Sequence, residues 1–85
     1  MDATLDHLTD YQKDTIRAAV EIYNCLPICL HHQTKHVHPN NPHIQDYELL
    51  ILQDAGCIMD EFGIRPRPVP DTYNIEVEGI TTHNP

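Results

Sequence analysis

A mainly α fold, a two-helix antiparallel hairpin followed by an extended Pro-rich tail, is expected from three features of this sequence. Two segments carry apolar residues at three- and four-residue spacing, each is preceded by a helix-start signal, and a run of prolines follows the second. With 85 residues the chain holds one domain, because two cores of half that length would each bury too little apolar surface to stand alone. Within it, 1–8 is a cap segment, 9–63 the hairpin and 64–85 the tail.

The first helix is predicted over about residues 10–25. Thr9 is its N-cap, Gln12 completes a capping box, and Asp10 suits the positive end of the helix dipole. Ile16, Ala19, Val20 and Tyr23 form one apolar row, with Ala18, Ile22 and Cys25 beside it. Pro27 ends the helix, since its ring disfavours helical geometry at Leu26 and it offers no N–H. A polar, His-rich connection over 31–40 follows. Asn41 and Pro42, read as N-cap and first helical residue, open a second helix over about 42–62, which Gly63 closes. Its inner face is Ile44, Tyr47, Ile51, Ala55, Ile58 and Phe62.

Leu49, Leu52 and Met59 widen the second helix's apolar arc to roughly 200°, more than one neighbouring helix covers. The tail, a second copy, or both must cover the remainder, and a four-helix homodimer is the expected assembly. In the tail, Arg65-Pro66-Arg67-Pro68-Val69-Pro70 is an extended spacer. Alternation of Tyr73, Ile75 and Val77 with polar residues then predicts one short strand over about 73–78, with no second strand evident.

Thirteen acidic residues against five basic ones give a formal charge of −8, which argues against direct binding of nucleic acid or anionic membranes and favours a protein partner with a basic surface. No apolar run approaches the roughly 20 residues that span a bilayer, and the first residues lack a basic leader, so a cytoplasmic location is expected, that of the host if the source is viral. Three Cys cannot all pair within one chain, which suits reduced thiols.

The densest cluster of chemistry-bearing side chains runs from Cys25 to His38. Cys25, Cys29, His32 and His36 offer sulfur and nitrogen donors of the kind Zn(II) takes, although the second cysteine pair of a structural knuckle is missing. Otherwise no cofactor is expected. With three Gly, no phosphate loop and no nucleophile signature, a non-enzymatic role follows. Acidic residues form two rows. Asp2, Asp6, Asp10 and Asp14 step every four residues, a ridge able to imitate a nucleic-acid backbone if 2–8 is helical, and Asp46, Asp54 and Glu61 lie along the second helix. Tyr11, Tyr47 and Tyr73 are candidate aromatic anchors, and Ile75 and Val77 candidate strand contacts. The composite expectation is a small acidic protein-binding factor that acts by steric or electrostatic occlusion. Anti-CRISPR or anti-restriction inhibitors of the kind phages and mobile elements encode have this character. The alternative is a Zn-binding structural or sensing module.

Overall fold

The computed structural model describes residues 7–31 and 33–80. Helix α1 spans Asp10–Cys25, the bounds expected from its signals. The Thr9 hydroxyl accepts from the Gln12 amide at 3.1 Å, and the Thr9 amide donates back to Gln12 Oε1 at 2.9 Å. Such a cap stabilises a helix by about 1 kcal/mol. Thr15 is buried in the helix interior without a stranded hydroxyl, because its Oγ1 donates to the Tyr11 carbonyl at 2.8 Å. At the far end Leu26 turns to extended backbone (φ −71°, ψ 141°), as the residue before a proline must.

Helix α2 spans Asp46–Phe62, four residues shorter at its start than expected. Asn41 and Pro42 do not open it. The Asn41 side chain accepts from the His43 amide at 2.8 Å and its carbonyl accepts from the Ile44 amide at 3.1 Å, so the pair forms a turn around Pro42. Asn-Pro carries the same signal for a turn as for a helix start. The N-cap is Gln45, whose amide donates to Glu48 Oε1 at 2.9 Å. The other end closes as expected: Gly63 adopts φ 69°, its amide donates to the Asp60 carbonyl at 3.3 Å, and the Ile64 amide reaches the Met59 carbonyl at 2.8 Å. That paired arrangement satisfies the last carbonyls in a left-handed cap that glycine adopts without steric cost.

The helices pack against each other, and a cleft lined by Glu21, Ile22, Cys25 and Leu26 together with His43 and Glu48 sets the end of α1 beside the start of α2. Their shared core holds Leu8, Ile16, Ala19, Val20, Ala55, Ile64 and Val77, with Ile51, Leu52, Ile58, Met59, Phe62, Ile75 and Ile80 half-buried around it. Ile16 and Val20 are the largest side chains sealed completely from solvent.

The expectation of a single strand is corrected here. Strand β1, Arg67–Pro68, lies within the Pro-rich segment and pairs antiparallel with β2, Ile75–Glu76, setting Arg67 opposite Glu76 and Pro68 opposite Ile75. Pro68 has no N–H, so it sits in a strand only at a sheet edge, which a two-stranded ribbon supplies. The connecting loop is closed by the Val69 amide on the Asn74 carbonyl at 3.0 Å, with Asp71 left-handed at φ 64°. This ribbon folds back onto the hairpin. Ile64 and Val77 enter the core from either side of it, and β2 lies against α1.

Asn24 and Lys35 fasten the ribbon to the hairpin. The Asn24 carboxamide accepts from the Ile75 amide at 2.8 Å and donates to the Ile75 carbonyl at 3.1 Å, as a neighbouring strand would. The Lys35 ammonium donates to the Tyr23 and Asn24 carbonyls, each at 2.9 Å, and to Asn74 Oδ1 at 3.3 Å. It also lies 5.1 Å from the centre of the Tyr23 ring. Helix α1 has no basic residue in its own last turn, so Lys35, only 7% exposed, supplies the positive charge its dipole favours there. Burial lowers the proton affinity of this ammonium below the ordinary lysine range, with the nearby Cys25 side chain acting the other way.

Candidate functional site

Charge is divided unequally between the two helices. Within α1, Asp10, Asp14 and Glu21 are offset by Lys13 and Arg17, and Arg17 forms an ion pair with Asp14. Helix α2 carries Asp46, Glu48, Asp54, Asp60 and Glu61 and no basic residue of its own. The four-step acidic ridge is therefore half neutralised where it is described, at Asp10 and Asp14. Asp2 and Asp6 lie outside the described residues.

The outward stripe of α2 joins acid to exposed apolar surface. Tyr47, Leu50, Asp54, Cys57 and Glu61 follow one another at three- and four-residue steps and share one side of the helix. All five are exposed. Tyr47 and Leu50 are 63% and 61% accessible, unusual for large apolar side chains on the same face of a small domain. Tyr47 was expected on the inner face. The later helix start places it in the first turn of α2, clear of the core.

The other anchors are scattered. Tyr11 is exposed near the start of α1 and Tyr73 is partly exposed in the ribbon loop. Ile75 is half-buried against the core and Val77 is 3% exposed within it. Their side chains are thus occupied by this chain's own packing, while Tyr73 keeps a free edge. The ribbon explains this: once β1 pairs with β2, the alternating apolar residues of the tail turn inward.

The three thiols are free and line three different clefts: Cys25 beside Ile22 and His43, Cys29 beside Pro27 and His36, and Cys57 beside Met59 and Arg65. Among the described residues no three His, Cys, Asp or Glu side chains are grouped so as to hold a metal ion. Cys25, Cys29 and His36 are therefore not brought together as a ligand set, and His32 lies outside the described residues. The Cys29 cleft is the roomier of the two around the connection, about 450 Å³, and His36, His38 and His43 also line it.

Among the described residues no helix is long and apolar enough to cross a membrane. No family model, curated protein or solved structure matches the chain. Sequence reasoning missed Asn24 and Lys35, the residues that hold the ribbon in place. Their partners lie 51 and 39 positions away at most, and no local spacing signals such contacts.

Proposed function

We propose that this chain is a non-catalytic protein-binding factor whose contact surface is the outer stripe of α2, and that its partner presents a basic surface with an apolar pocket. The observation that carries this reading is the continuity of two exposed apolar side chains, Tyr47 and Leu50, with an acidic helix that has no basic residue. Apolar anchors beside a one-sign field are the usual components of a steered interface: the field speeds encounter, and the buried anchors slow release. Occlusion of a basic groove on a larger protein is the mechanism these features favour, and an inhibitor of the kind mobile elements encode is the biological role that suits it.

A foreign partner is better supported than a second copy. In a parallel self-pairing of the stripe, Asp54 and Glu61 would face their own equivalents. In an antiparallel one centred on Asp54, Tyr47 would face Glu61. Either register sets charge against like charge or against an apolar group, at a cost a basic partner avoids. The homodimer is retained as a competing proposal that light scattering resolves.

The test is capture of partners from a lysate at low and high salt by wild type, by Leu50→Asp, and by the pair Asp54→Asn with Glu61→Gln. A partner lost on Leu50→Asp, and released by salt more readily from the double variant, supports the reading. Capture indifferent to all three changes, or a monodisperse dimer that Leu50→Asp converts to monomer, overturns it.

A further inference from the structure

The connection between the helices carries a second surface that the protein-binding reading does not use. Lys35 turns inward to the end of α1, whereas His36 and His38 line a cleft together with Cys29 and His43.

Asn41 holds both histidines by their backbones. Its side chain donates to the His36 carbonyl at 2.6 Å and its amide donates to the His38 carbonyl at 3.0 Å. The rings meet edge to face with their centres 5.3 Å apart, and His36 Nδ1 and His38 Nε2 face each other at 3.3 Å. Two nitrogens each about 2.05 Å from a tetrahedral zinc ion also stand about 3.3 Å apart. The spacing of the pair matches the bite of a chelated metal, and a turn of the two rings directs both facing nitrogens at one ion.

We propose that His36 and His38 are a chelating pair for Zn(II), bound through His36 Nδ1 and His38 Nε2. A neutral imidazole binds a metal through its unprotonated nitrogen, so each ring takes the tautomer with its proton on the nitrogen away from the ion, and no proton is released from a neutral pair. Water fills the remaining coordination positions on binding. Cys29 and His43, on the other walls of the cleft, are not grouped with the pair in the metal-free geometry, so capture of either as a third ligand requires the 36–43 connection to draw in around the ion. This pair differs from the set the sequence suggested: it keeps His36, adds His38, and leaves out Cys25, Cys29 and His32. The acidic chain favours cation uptake in general, but selects no position for it.

Zinc chloride titrated calorimetrically into the full chain, under reducing conditions at neutral pH, tests the site. One equivalent per chain is expected, with at least a tenfold loss of affinity in both His36→Ala and His38→Ala and none in Cys25→Ser. Because both imidazoles are at the protein surface, circular dichroism should show both variants folded. Independently of any variant, Zn(II) should shift the ring nitrogen resonances of His36 Nδ1 and His38 Nε2 in the wild-type protein. A larger loss in Cys25→Ser than in the histidine variants, binding unchanged in His36→Ala and His38→Ala, or no saturable binding at millimolar zinc would overturn the proposal.

Discussion

Helices α1 and α2 differ by one residue in length and each begins with a side chain that reaches back to its own N-cap, yet their surroundings diverge. Helix α1 is enclosed. It gives Ile16, Ala19 and Val20 to the core, its last carbonyls are held by Lys35, and Asn24 binds the ribbon. Helix α2 has only Ala55 fully inside, and it turns Tyr47, Leu50, Asp54 and Glu61 outward. The contrast separates two roles: one helix organises the chain, and the other is left to meet something outside it.

Changes around α1 should therefore act on stability, and the largest effect is expected at Lys35. Lys35→Met leaves the Tyr23 and Asn24 carbonyls and Asn74 Oδ1 without their shared donor. A loss of about 3 kcal/mol is expected, since bonds to a charged group contribute roughly 1.5–3 kcal/mol each but overlap in one side chain. Urea denaturation reads it, and a midpoint equal to wild type would show that the ammonium holds nothing. Asn24→Leu should cost about 2 kcal/mol, because it strands the amide and carbonyl of Ile75. The hydrogen-exchange protection of the Ile75 amide should fall with it.

The same variant pair gives a pH test. Folding lowers the proton affinity of Lys35, so the unfolded chain holds that proton more tightly. The Lys35 contribution to stability must then rise, not fall, as pH climbs through the window just below 10.5. The difference in unfolding free energy between wild type and Lys35→Met, followed up to pH 10.5, isolates this from the chain's other ionisable groups. A difference that shrinks over that range would mean the charged form is favoured by its hydrogen bonds more than burial disfavours it.

Changes on the outer stripe of α2 should leave stability almost untouched. Tyr47→Ala and Leu50→Ala are expected to shift unfolding by less than about 0.5 kcal/mol, whereas either should weaken partner binding at least tenfold, about 1.4 kcal/mol. A large stability loss at Leu50 would place it in the fold and remove it from the interface. The smallest effect is a gain. A methyl group at Gly56 meets nothing within 4 Å, so Gly56→Ala should add about 0.5–1 kcal/mol through helix propensity, a rise in melting temperature of about 3–6 °C.

The legible and illegible parts of this sequence divide along the same line. Helix α1 could be read to the residue because Thr9, Gln12 and Pro27 act locally and agree. The start of α2 could not, since Asn41-Pro42 serves a turn as readily as a helix, and the true cap, Gln45, is an uncommon residue for that place. Helix α2's acidic row of Asp46, Asp54 and Glu61 was visible from spacing alone, while the exposure of Tyr47 depended on where the helix began. The ribbon escaped notice because proline is a poor signal for a strand and its pairing partner was sought outside the chain. Lys35 and Asn24 look in sequence like ordinary solvated residues. Only the fold brings three acceptors to one and a strand edge to the other.

The Asn24 clasp also orders events in time. Its two bonds to Ile75 span 51 positions, so during synthesis α1 and α2 are both complete before the residue that ties the ribbon to α1 exists. Closing so long a loop carries an entropic cost that short-range helix formation does not. That cost predicts a hairpin that assembles first and a ribbon that seats last. The amide of Ile75 should then be the last to gain protection in a pulse-labelled refolding experiment.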